Sequence, residues 1–214
     1  MFLESACILL LSLSAEPSRA AVNAFPEPPT VWHGIDSQKE YLAGVLGITA
    51  SDGDARWKAS ELANAIGVML ELPSSFRSCT QGLRRIKAGR KEGVTGYVEM
   101  NVAPVAFITD AGADYHGISG WLVHEMTHCF QMAHPDILEA WEEKFWNIFV
   151  FFSSPRTPSA TGYGNDSPKN DMAESVRRYW ELGRGMKASF PDRYEFIRVH
   201  IMSGMEFEPH PTPT

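Results

Sequence analysis

The chain predicts an α+β domain. Apolar residues recur at helical spacing before and after a stretch that alternates like strands, and most of the helical runs gather after that stretch. The order is helix, small sheet, then several helices, which is the α+β pattern.

Each element follows from local signals. Ala6 to Leu13 is a short apolar stretch, followed by Ala15, Ser18, Ala20 and Ala21. That resembles the core and cleavage region of a signal peptide, so residues 1–21 are expected to direct export to a secreted or periplasmic location. Glu4 has the wrong sign for such a leader, and no Lys or Arg precedes the run. The run is too short to span a bilayer, so no stable membrane insertion is expected. Pro26, Pro28 and Pro29 predict an extended arm within residues 22–50. The domain proper is expected over 51–208.

Asp52 or Asp54 is expected to cap a helix from Ala55 to Glu71, with Trp57, Leu62, Ile66, Met69 and Leu70 on one face. Pro73 stops it. Residues 83–110 predict two or three short strands with turns near Gly89 and Gly93, the last strand being Val105 to Thr109. Gly112 to Gly117 is expected as a loop. A helix follows over Ser119 to Ala133, ended by Pro135. The next is expected to run from Asp136 to Phe152 as a buried helix, through Leu138, Trp141, Phe145, Trp146 and Phe149. A long loop covers 153–169, and further helices span Asn170 to Leu182 and Pro191 to Ser203.

Composition narrows the function. The formal net charge of -7 argues against a nucleic-acid surface, so no nucleic-acid partner is expected. Arg84, Arg85, Lys87, Arg90 and Lys91 form a local basic cluster, read as a solvated strand or turn edge. Without Cys7, Cys79 and Cys129 remain, either as a disulfide in an exported protein or as buried thiols.

The chemistry-bearing motif is His124-Glu125-Met126-Thr127-His128, a His-Glu-x-x-His run on a helix. Positions four apart share a helix face, so both imidazoles can bind one metal ion. Glu125 lies between them, within reach of a water on that ion. Zinc suits such a donor set. The alternative is a pair of surface histidines flanking a surface glutamate. Two residues compete as third ligand. His134 has the spacing of the extended metzincin motif, but Gln131 stands where that motif needs Gly to leave the helix. Glu174 lies on the later helix beside Ala173 and Val176; its alternative is an ion pair with Arg177 or Arg178.

These residues carry a family resemblance. His124 to His128, Gly162-Tyr163-Gly164 and Asp171-Met-Ala-Glu-Ser175 resemble gluzincin metallopeptidases of the anthrax lethal factor type and related bacterial zinc peptidases. Pro191 to Ile197 is similar to the stretch after their glutamate helix, and His128-Cys-Phe-Gln131 is similar to plant basic secretory proteins, another zincin-like group. Asn170 stands where the family usually has an acidic residue. The resemblance spans about residues 94–205. It implies a zincin-like fold: a small mixed sheet, an active-site helix and a C-terminal helical subdomain. It also implies hydrolysis of a peptide or protein substrate. His124, His128 and Glu174 would hold Zn2+, Glu125 would be the general base, and Tyr163 would stabilise the oxyanion. Tyr163 read plainly is a loop aromatic packed on the core. Asp171 is the candidate outer partner of a ligating His. Gly96 to Met100 is the candidate edge strand for an extended substrate, or an ordinary edge. A non-catalytic zinc-binding interaction module is the alternative function.

Overall fold

The computed structural model describes residues 28–89, 96–98, 104–114, 118–149 and 153–210. Residues 1–27, on which the leader expectation falls, lie outside them. The fold is a mixed α+β arrangement. Four strands, β1 (Thr49–Asp52), β2 (Gly82–Arg85), β3 (Gly96–Val98) and β4 (Val105–Ile108), form one sheet in the order β1-β2-β4-β3. β1, β2 and β4 run parallel, and β3 pairs antiparallel on the outside of β4.

The arm expected over 22–50 is largely structured. Residues Ile35–Leu46 form helix α1, and Gly47 ends it in the left-handed conformation (φ 70°) that glycine adopts freely. Leu42, Leu46 and Ile48 are buried in the core, so the domain begins well before residue 51. The three prolines lie ahead of this helix and do not bear on it. Helix α2 (Ala59–Glu71) starts later than expected because Asp52 and Asp54 are engaged elsewhere. The Asp52 carboxylate accepts from the Trp57 amide, and Asp54 accepts from the Lys87 amide. Glu61 closes the first turn instead, accepting from the Lys58 amide at 3.0 Å.

Glu61 also meets Arg85 at 3.2 Å, and Arg85 reaches Asp110 at 2.6 Å. The basic cluster is therefore not wholly a solvated edge: Arg85 is buried and ties β2 to α2 and to helix α4 (Asp110–Asp114). A short helix, α3 (Ser74–Arg77), follows Pro73.

Helix α5 (Ser119–Ala133) has the expected bounds. It packs against β4 and β3 on one side and helix α7 (Pro168–Leu182) on the other. Helix α6 (Pro135–Phe145) ends at Phe145, short of the expected Phe152. The chain then turns into a hairpin of β5 (Trp146–Ile148) and β6 (Ser153–Pro155). A buried acceptor explains the turn: the Trp146 indole N–H donates to Asp171 at 2.9 Å, and Arg156 donates to the Trp146 carbonyl. Those distant partners override local periodicity. Ile148 and Phe149 are accordingly exposed rather than part of a buried helix.

Helices α8 (Met186–Ser189) and α9 (Pro191–His200) close the C-terminal part against α7. Cys79 and Cys129 are both free and buried, so the disulfide reading is not met. Among the described residues, no helix is long and apolar enough to cross a membrane.

Candidate metal centre

The site forms where α5, α7 and a 3-10 turn at Tyr163–Asp166 meet. The helical repeat puts His124 and His128 one turn apart, with ring centroids 4.9 Å from each other. His124, Glu125 and Glu174 are each at most 2% exposed. So much polar surface is costly to bury unless it is satisfied.

Both imidazoles are fixed from behind. His124 donates through Nδ1 to Glu174 Oε1 at 2.8 Å. His128 donates through Nδ1 to Gln131 Oε1 at 2.9 Å. The tautomers follow from the partners. Glu174 is held well below the usual carboxylate range, against the cost of its burial, by the hydrogen bonds of His124, Arg177 and Thr161, so it only accepts. The Gln131 amide nitrogen donates to the Lys169 carbonyl at 2.9 Å, which leaves its oxygen to face His128. Each Nδ1 therefore carries a ring proton, and the two Nε2 atoms face each other. These two Nε2 atoms stand 3.2 Å apart. Burial and the neighbouring His124 depress the His128 pKa to about 4, so that ring is neutral near pH 7.

Two ring nitrogens at that distance share a proton or hold a cation between them. Two nitrogen ligands about 2.0–2.1 Å from a tetrahedral zinc ion would stand roughly 3.3 Å apart. The imidazole pair fits zinc on that measure.

Glu125 points towards the sheet. A Cβ on Gly96 of β3 would lie 2.7 Å from Glu125 Oε1 and 2.9 Å from its Cδ, so the glycine makes room for the carboxylate. Glu125 Oε2 is buried and has no hydrogen-bond partner among the described residues. Burial raises its pKa to about 7, the His124 ring opposes the shift, and the Glu174 charge adds to it. A carboxyl poised there both takes and returns a proton near neutrality.

The remaining expected residues fall as follows. Tyr163 is half exposed and lies nearly parallel to the His124 ring, with centroids 6.0 Å apart. It faces the site rather than packing into the core. Burial raises its hydroxyl pKa, and the charges of Glu125 and Glu174 add to that. Glu174 is in the site, but its carboxylate meets Nδ1 of His124, on the far side of the ring from Nε2. It also pairs with Arg177, as its alternative reading had it, yet in a buried setting. His134 ends α5 and lies against Phe130, with ring centroids 4.4 Å apart, and the metzincin alternative gains nothing from that placement. Asp171 is not the outer partner of a histidine. It accepts from Trp141, Trp146 and Arg193 in the core. No group of three or more His, Cys, Asp or Glu side chains arranged to hold a metal occurs among the described residues.

The sequence alone does not assign the roles of Gln131, Arg177, Thr161 and Gly96. Gln131 enters the sequence reading as a departure from one motif and as part of the likeness to plant basic secretory proteins, although its spacing of three from His128 puts both on one helix face. Arg177 stands at the same spacing from Glu174. Thr161 comes from a remote segment that no local signal marks, and Gly96 enters the sequence reading only as the start of the candidate edge strand. Comparison of the chain with family models, curated proteins and solved structures returns no match.

Proposed function

We propose that the chain is a zinc-dependent hydrolase of peptide bonds with a zincin-like fold. The observation that carries this reading is the pair of Nε2 atoms 3.2 Å apart, each ring fixed by an acceptor on its own Nδ1. Paired imidazoles that face each other beside a buried carboxylate, one oxygen of which has no partner among the described residues, support the reading of an incomplete polar site. His124 and His128 would hold the ion, which when bound supplies a Lewis acid and lowers the pKa of a coordinated water to about 7.

The chain's own groups divide the remaining work. Glu125 accepts a proton from the attacking water through its free oxygen and later returns it to the leaving amine. Its depressed acidity suits both tasks. Tyr163, open to solvent on one side, donates a hydrogen bond to the oxygen of the carbonyl under attack. β3 is the antiparallel edge of the sheet and lies beside Glu125, which supports extended pairing with a peptide. Glu174 serves the site through His124, and a direct role would require its carboxylate to leave Nδ1.

The test is zinc content after dialysis against a mild chelator, together with hydrolysis of unfolded peptides by wild type and Glu125→Gln. The expected result is one zinc per chain in both proteins and turnover only in wild type. Absence of zinc from wild type, or undiminished cleavage by Glu125→Gln, would overturn the proposal.

A further inference from the structure

Glu174 is the most heavily engaged carboxylate at the site. Its Oε1 accepts from His124 Nδ1 at 2.8 Å and from Arg177 Nε at 3.1 Å. Its Oε2 accepts from Thr161 Oγ1 at 2.6 Å and from Arg177 Nη2 at 2.8 Å. An ionised carboxylate offers about four lone-pair sites, and these donors occupy them. Arg177 is itself held in place. Its Nη1 reaches Glu181 at 2.8 Å, and its guanidinium lies over the Trp121 ring, 5.3 Å from the centroid. Room for this clamp comes from Gly120, where a Cβ would collide with Glu181 Oε1 and meet Arg177 Cδ at 3.5 Å.

We infer that Glu174 is a positioning residue of the metal centre, locked by Arg177 and Thr161 onto Nδ1 of His124, and does not itself bind the ion. The inference rests on the zinc reading above and deepens it. Moving Glu174 to the ion would break its bonds to His124 and Thr161 and set a bound cation against the Arg177 guanidinium. Left in place, the carboxylate orients the ring and strengthens it as a donor. Thr161 extends the clamp: its Oγ1 also accepts from the Gly164 amide at 3.2 Å, so the turn bearing Tyr163 is tied to the same carboxylate. The ion would then have two protein donors, and its remaining positions would be open to water and substrate.

The primary measurement is nitrogen-15 NMR of the imidazole N–H groups of the wild-type chain, titrated with Zn2+. A downfield Nδ1–H resonance of His124 that persists in the zinc-loaded protein is the expected result. Its loss on zinc uptake would mean that the carboxylate has left the ring, and would overturn the inference alone. No zinc uptake at all would overturn the zinc reading and this inference with it. A second measurement uses Co2+ absorption. In Glu174→Gln the amide oxygen still accepts from Nδ1, so cobalt band positions should match wild type and affinity should fall by no more than about a hundredfold. Glu174→Leu, which has no acceptor, should fall further. Altered cobalt bands in a folded Glu174→Gln protein would identify a lost ligand and refute the assignment.

Discussion

Two buried acids on helices that pack together have opposite hydrogen-bond states. Asp171, on α7, is fully buried and accepts from two indoles, from Ser175 and from Nε and Nη2 of Arg193. Glu125, on α5, is just as buried, and its Oε2 has no hydrogen-bond partner among the described residues. Folding alone explains the first. Asp171 joins α6, the β5–β6 hairpin and α9 to α7, and its charge is balanced by Arg193 at 3.0 Å. The described residues offer the second no such partner, and a buried unpaired acceptor costs about 1–3 kcal/mol. Among the described residues Asp171 is fully engaged in the frame, and on the proposed reading Glu125 serves the chemistry.

The sharpest test of that contrast is the paired replacement of the two acids by their amides. Glu125→Gln should cut turnover by roughly 10²–10⁴ while leaving the melting temperature unchanged or slightly higher, because it removes a strained buried charge. Parallel calorimetry and peptide assays would read both effects. Asp171→Asn should do the reverse. It breaks a buried pair with Arg193 and should destabilise the fold by about 3–5 kcal/mol in denaturant titrations. If the folded Asp171→Asn protein loses turnover as completely as Glu125→Gln, the division between frame and chemistry fails.

A smaller effect probes the space around Glu125. Gly96→Ala places a methyl group within 2.7–2.9 Å of the carboxylate and should displace it. A shift of about 1 Å lowers kcat by roughly 10², with little loss of stability. Unchanged kinetics would show that the carboxylate does not depend on the bare backbone of β3.

The smallest expected effect belongs to the frame at alkaline pH. Tyr194 is fully buried, and its hydroxyl donates to Glu206 at 2.7 Å. Burial first, then that carboxylate, push its pKa up to about 12 from the ordinary tyrosine value of 10.0. Between those values the unfolded chain has lost the phenol proton and the folded chain keeps it. Stability from this group is therefore full below pH 10.0 and declines as pH rises towards about 12. Tyr194→Phe should flatten that decline in urea titrations, and an identical slope in the variant would remove Tyr194 from the account.

How the sequence foresaw the fold varied with the range of the forces involved. Helix α5 is bounded as its pattern required, because Ser119 to Ala133 holds its own periodicity and Pro135 ends it. The facing of His124 and His128 is likewise local, set by one helical turn. α1 was hidden by the prolines ahead of it, and the helix expected to reach Phe152 was cut at Phe145 by acceptors on other segments.

The sequence by itself determined the α+β composition, the helix that carries the motif and the placing of two imidazoles and a carboxylate along it. These follow from backbone periodicity and steric rules acting over a few residues. Only the tertiary structure decided that Glu174 lies behind His124, that Gln131 orients His128 and that Asp171 belongs to the core. Each depends on which donors a buried acceptor meets. Some come from remote segments, such as Thr161, Trp141 and Arg193. Others stand one helical turn away, such as Gln131 and Arg177, where packing selects the contact from several that local geometry allows.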